Sequence, residues 1–116
     1  PNCSILAAED NDGNYMLLKV FLRQYKLTRV VNGAEAVELA SHNKYDVIIM
    51  DLKMPIMDGL EATAEIRKFD RTTPIIALTA NAFASDKEAA MKVGCTDFLS
   101  KPFGRNELIA VLNLAK

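Results

Sequence analysis

Residues Val47 to Gly59 read VIIMDLKMPIMDG, and this stretch decides the fold. Val47 to Met50 are apolar at every position, so both faces of the run need cover, as in a strand at the centre of a parallel sheet. The run ends in Asp51. A carboxylate at the end of a buried strand is costly unless solvent or a charge partner meets it. Pro55 and the Asp58-Gly59 pair follow within eight residues and end the extended segment.

Four further apolar runs surround this one: Ser4 to Ala8, Thr28 to Val31, Pro74 to Leu78, and a weaker run from Thr96 to Leu99. With the central run, taken from Asp46, their lengths and β-branching predict five strands. Between them the spacing predicts helices. The first covers Asp12 to Gln24 with Leu17, Val20, Phe21 and Gln24 on one side, and the second covers Ala34 to Ser41 with Ala36, Val37 and Ala40. The third covers Asp58 to Phe69 with Leu60, Thr63 and Ile66, and the fourth covers Phe83 to Val93 with Ala89, Ala90 and Val93. The last runs from Arg105 to Leu114 with Leu108, Ile109 and Leu112, and Gly94 is placed to stop the fourth helix. Five alternations of strand and helix, with right-handed crossovers, predict one doubly wound α/β domain over residues 1–116.

The composition agrees with this reading. In 116 residues, a hydrophobic content of 50% fills a core without disulfides or a structural metal. Fourteen basic and fifteen acidic residues give a net charge of -1, so no global field draws in nucleic acid or an anionic membrane. Cys3 and Cys95 match no metal or redox spacing, and His42 is the single histidine, so a Cys/His zinc site lacks material. A reducing cytoplasm is the expected compartment. No apolar run approaches the roughly 18 residues needed to span a bilayer, and no signal sequence is evident, so a soluble segment without membrane contact is expected. The start at Pro1 suggests a segment of something longer.

Open parallel sheets bind ligands beyond the carboxyl ends of their strands. Those ends are Glu9 and Asp10, Asp51, Thr79, and Ser100 with Lys101 before Pro102; Asn32 and Gly33 end the second strand as a turn. Three carboxylates gathered at one rim raise one another's pKa and oppose folding, so the cluster predicts a hard divalent ion with oxygen ligands, Mg²⁺ being the natural one. Lys101 adds a second cation. The set suits phosphoryl chemistry, since an ionised aspartate attacks phosphorus without a general base once positive charge screens the phosphoryl oxygens. Thr79 and the backbone N–H of Ala80 are placed to donate hydrogen bonds to the transferred group. No water-positioning residue is evident, so an acyl phosphate is expected to persist.

The fragments ILAAEDN, DVIIMDLKMPIMDG, PIIALTANA and GCTDFLSKPF, in this order and at this spacing, resemble a response-regulator receiver domain. The likeness spans essentially the whole chain and is greatest to the receivers of hybrid sensor histidine kinases. It implies a flavodoxin-like sheet in the order 2-1-3-4-5. It implies that Asp51 is the phosphoacceptor, that Asp10 and Asp51 ligate Mg²⁺ with Glu9 holding it through water, and that the carbonyl of Lys53 is a further ligand. Thr79 becomes the switch hydroxyl, Lys101 the phosphate-pairing lysine, and the Lys101–Pro102 bond cis. The switch aromatic falls at Phe98, where many members carry Tyr, so its coupling to Thr79 rests on packing.

The resemblance also implies a phosphohistidine donor, either a kinase dimerisation/phosphotransfer domain or a histidine-phosphotransfer protein. The output face is made by helix four, strand five and helix five, and homodimerisation through that face is open. The resemblance implies a cytoplasmic phosphoacceptor, as in the cytoplasmic part of a membrane-anchored sensor kinase, and not a turnover enzyme on its own. Seven of the eight residues from Tyr15 to Leu22 are apolar or aromatic, more than one buried face needs, so some of Tyr15, Leu18 and Leu22 are expected to meet a helical partner. Asp12 is expected to cap the first helix, and Gly13 to loosen its first turn.

Three rivals remain. A flavin or nucleotide module would need a phosphate loop after the first strand, where AAEDNDGN places three acids. An aspartate-nucleophile phosphatase would need an acid two residues beyond Asp51, where Lys53 stands. A degenerate receiver acting only by protein interaction sits poorly with a complete set of acids, Thr79 and Lys101.

Overall fold

The runs that are apolar at every position lie at the middle of one parallel sheet. The computed structural model of the chain describes residues 3–80 and 84–115. Its elements are β1 (Ser4–Ala8), α1 (Asp12–Phe21), β2 (Lys26–Val30), α2 (Gly33–His42), β3 (Val47–Asp51), α3 (Gly59–Ile66), β4 (Ile75–Thr79), α4 (Ala84–Lys92), β5 (Asp97–Ser100) and α5 (Arg105–Ala115). The sheet order is β2-β1-β3-β4-β5, as the resemblance to receiver domains implied, and every pairing is parallel, as the alternation of apolar runs and helices predicted. Every residue of β3 and β4 is buried, which is why these two runs lack any polar alternation.

Successive side chains of the strands serve opposite faces. Ile5, Ala7, Val47, Ile49, Ile76 and Leu78 pack with Leu18 and Leu22 of the α1 segment and Leu108 and Leu112 of α5. Leu6, Ala8, Ile48, Met50, Ile75 and Ala77 pack with Ala36 and Ala40 of α2, Ala62 and Ile66 of α3, and Ala90 of α4. Each fully buried Leu or Ile contributes about 1.5–3 kcal/mol of transfer free energy, and both layers are filled without a disulfide. Cys3 and Cys95 are buried and free.

Helix α1 departs from expectation in three ways. It ends at Phe21, with Leu22 as its C-cap bonding back to Leu18, instead of running to Gln24. Its buried face is Leu18 and Leu22, whereas Leu17 and Val20, expected inside, are 49% and 58% exposed beside Met16 at 53%. The i, i+4 pair Leu18–Leu22 reaches the sheet, and the neighbouring stripe then turns outward. Asn11, not Asp12, is the N-cap, its Oδ1 accepting from the N–H of Asn14 at 2.9 Å, and Gly13 sits in a regular first turn. Helix α3 likewise stops at Ile66 instead of Phe69, and the expected start of the fourth helix at Phe83 falls outside the described residues.

Two glycines set the loops. Gly59 opens α3 directly against the end of β3, where a Cβ would lie 2.2 Å from the carbonyl oxygen of Asp51. Gly94 adopts φ 110° after α4, a left-handed conformation that frees the chain to enter β5. Among the described residues, no helix is long and apolar enough to cross a membrane.

Candidate functional site at the carboxyl rim of the sheet

Strand β1 delivers Glu9 and Asp10 into the loop that leads to α1. Glu9 is fully buried, its N–H donating to the carbonyl of Val30 at 3.0 Å and one carboxylate oxygen accepting from the N–H of Asn11 at 3.2 Å. Asp10 is exposed and makes no hydrogen bond or ion pair among the described residues. Asp51, the last residue of β3, is 5% exposed. Its Oδ1 accepts from the backbone N–H of Lys53 at 3.0 Å.

Strand β5 delivers the counter-charge. Lys101 Nζ donates to Asp51 Oδ2 at 2.7 Å and to Glu9 Oε1 at 3.0 Å, joining residues far apart in sequence. The Lys101 backbone N–H donates to the carbonyl of Thr79 at 2.7 Å, and the Lys101–Pro102 bond is cis. Burial would lower the ammonium's pKa, but the hydrogen bonds and charges of Asp51 and Glu9 outweigh it and raise the pKa above its ordinary value. Burial first, and then Asp51, push Glu9 up to about 7 against the pull of Lys101. One ammonium therefore does not fully satisfy two buried carboxylates.

Ligand atoms of Glu9, Asp10 and Asp51 all lie within 4.8 Å of one another. An all-oxygen donor set with one exposed, unpartnered carboxylate fits a hard divalent cation that retains water. Lys53 itself is exposed at the entrance. Thr79 ends β4 and is 1% exposed, its hydroxyl donating to Asp86 Oδ2 of α4 at 3.2 Å. A cleft of about 410 Å³ opens here, with Lys53, Asp58, Thr79 and Asp86 on its walls. Ala80 is exposed beyond Thr79, and Phe98 is half-buried against the α2–α3–α4 layer.

The structure thus gathers Glu9, Asp10, Asp51 and Lys101 into one cluster and sets Thr79 at the same rim. Two participants were not singled out from sequence. Asp86, in the first turn of α4, accepts from the Thr79 hydroxyl. Arg29 reaches back from β2 to the β1–α1 loop, with Nε donating to the carbonyl of Glu9 at 3.1 Å. Nothing in the spacing of either residue signals these contacts.

The family profile described as the response regulator receiver domain matches residues 5–113. The transcription factor SKN7 of Candida albicans is 39% identical over 115 residues, covering 97% of this chain and 21% of that protein. Hybrid signal transduction histidine kinase G of Dictyostelium discoideum is 40% identical over 116 residues, covering 94% of this chain and 3% of that protein. The chain therefore spans a small part of the curated relatives it matches. Among solved structures, the receiver domain of sensor histidine kinase PA1611 of Pseudomonas aeruginosa superposes with a TM-score of 0.91 at 42% identity, over 98% of this chain and 97% of that one. That crystal structure holds a magnesium ion coordinated in the active site cleft. The chemotaxis protein CheY4 of Vibrio cholerae superposes with a TM-score of 0.89 at 30% identity over the whole of both chains.

Proposed function

From the premise that the chain belongs to the response regulator receiver family, we propose that it accepts a phosphoryl group from a phosphohistidine onto Asp51. The observation that carries the reading is the Lys101 ammonium at 2.7 Å from Asp51 Oδ2, beside two further acids within 4.8 Å. A carboxylate oxygen of Asp51 attacks phosphorus, the P–N bond breaks, and the departing imidazole keeps the electron pair and takes up a proton. A carboxylate nucleophile has no proton to lose, so the attack needs no general base.

Glu9, Asp10, Asp51 and the carbonyl of Lys53 would hold Mg²⁺, the ion found in the Pseudomonas receiver. When bound, the ion supplies positive charge against the phosphoryl oxygens. Lys101 pairs with one of those oxygens, and the Ala80 N–H and Thr79 hydroxyl donate to others. For Thr79 this means turning its hydroxyl away from Asp86 of α4 and toward the phosphoryl group on Asp51. The phosphoryl group shifts the population through that difference in contacts, with Phe98 repacking in β5 as the second part of the switch.

The donor docks on α1. Met16, Leu17 and Val20 form an exposed apolar stripe on the helix that follows Asp10, suited to a helical phosphotransfer partner. Tyr15, Leu18 and Leu22, expected from the sequence to supply this contact, do not form the stripe: Leu18 and Leu22 are fully buried, and Tyr15 is half-buried. Intact-mass measurement after incubation with a small acyl-phosphate donor tests the reading. One hydroxylamine-sensitive phosphoryl gain that requires Mg²⁺ and is lost in Asp51→Asn is expected. No gain, with Mg²⁺ binding and donor competence confirmed, would overturn it in favour of a receiver that works by interaction alone.

A further inference from the structure

Arg29 lies on the edge strand β2 opposite Ala7, on the face of the sheet covered by α1. Its side chain is 24% exposed and touches three parts of the segment that leaves β1. Nε donates to the carbonyl of Glu9 at 3.1 Å, Nη2 donates to Asp12 Oδ1 at 2.8 Å, and the guanidinium stands 4.6 Å from the centre of the Tyr15 ring. The planar fork of arginine serves these directions together, which a lysine cannot do.

Stability does not explain the Asp12 arm of this arrangement. The Asp12 side chain is 91% exposed, and an ion pair so open to water contributes little to folding. Position does explain it. Glu9 and Asp12 bracket Asp10, the exposed acid of the cluster that has no partner among the described residues. A flexible carboxylate must be ordered when it takes a cation, and a loop fixed on either side of it has already lost most of that freedom.

We infer that Arg29 is a positioning residue for the divalent-cation site, holding the β1–α1 loop so that Glu9 and Asp10 face Asp51. The inference rests on the metal reading given above and deepens it. It also makes a prediction whose sign is opposite to the electrostatic one. Arg29 is itself a cation near the site, so by charge alone its removal should tighten Mg²⁺ binding. As a tether, its removal should weaken binding, by about tenfold if it matches other groups that orient metal ligands.

Calorimetric titration of Mg²⁺ into the wild-type chain, Arg29→Ala and Arg29→Lys decides the matter, with thermal melting of each in chelator to verify folding. Weaker binding in both variants, about tenfold for Arg29→Ala and several-fold for the charge-conserving Arg29→Lys, is expected. Equal affinity across the three proteins, or tighter binding by Arg29→Ala with Arg29→Lys unchanged, overturns the inference while leaving the metal reading intact. A lower melting temperature with no change in Mg²⁺ affinity also overturns it, since the role is then only structural. If Arg29→Ala does not fold, Arg29→Lys carries the same comparison. Absence of Mg²⁺ binding by the wild-type chain overturns the metal reading and this inference together.

Discussion

The Lys101 ammonium stands 2.7 Å from Asp51 Oδ2, so the carboxylate that ends the buried central strand receives its counter-charge from the far end of the chain. The same nitrogen lies 3.0 Å from Glu9. A single cation thus bridges two buried carboxylates from different strands.

Removing that cation should be costly. Lys101→Ala leaves two carboxylates, 0% and 5% exposed as whole residues, without a positive partner, and a buried pair broken in this way destabilises by about 3–5 kcal/mol. Denaturant unfolding in chelator should show this loss, and Mg²⁺ should restore part of it. A change below about 1 kcal/mol in both conditions would show that the ion pair does not hold the rim together.

Glu9 gives the rim a pH dependence. Its folded pKa is raised from 4.5 to about 7, chiefly by burial and then by Asp51. Between those values the folded chain binds a proton that the unfolded chain has released, so stability in chelator should fall as pH rises from 4.5 to 7. Cation binding displaces that proton, so apparent Mg²⁺ affinity should rise through the same window. Glu9→Gln should flatten the stability profile; an unchanged slope in that variant would assign the titration to another group.

The two faces of α1 should separate by mutation. Leu18→Ala empties a fully buried site and should cost about 2–5 kcal/mol, whereas Leu17→Ala, at 49% exposure, should stay within about 0.5 kcal/mol. Leu17→Ala should nonetheless slow phosphoryl transfer from a phosphohistidine protein while leaving phosphorylation by a small donor unchanged. Equal slowing with both donors would place the defect in the site and not in docking.

Ile56 combines φ 69° with 84% exposure, and the N–H of Met57 donates across it to the carbonyl of Pro55 at 2.7 Å. A β-branched residue is strained there, and this one loses little packing when removed. Ile56→Gly should therefore stabilise the chain by about 0.5–1 kcal/mol after the entropy glycine adds to the unfolded state. A loss of more than about 1 kcal/mol in thermal melting would mean that the side chain packs in a way its exposure conceals.

The strand ends were legible because each apolar run stops abruptly at a polar residue, which is enough to place Glu9, Asp10, Asp51, Thr79 and Lys101 on one rim. The face of α1 was not. When seven of eight residues are apolar, the stripe through Leu17 and Val20 and the stripe through Leu18 and Leu22 are equally filled, and only the fit to β1 and α5 chooses between them. The cap was degenerate for a similar reason, since Asp10, Asn11 and Asp12 are all capping residues; Asn11 takes the role and Asp12 pairs with Arg29. Arg29 and Asp86 act through strand register and loop path, which carry no local signature.

The central claim is that Asp51 takes the phosphoryl group, and the most direct test is to locate the modification after phosphorylation and borohydride reduction by peptide mass spectrometry. The account predicts a single reduced residue at Asp51, present only when Mg²⁺ was supplied. Reduction at Glu9, Asp10 or another carboxylate, with Asp51 intact, would contradict it.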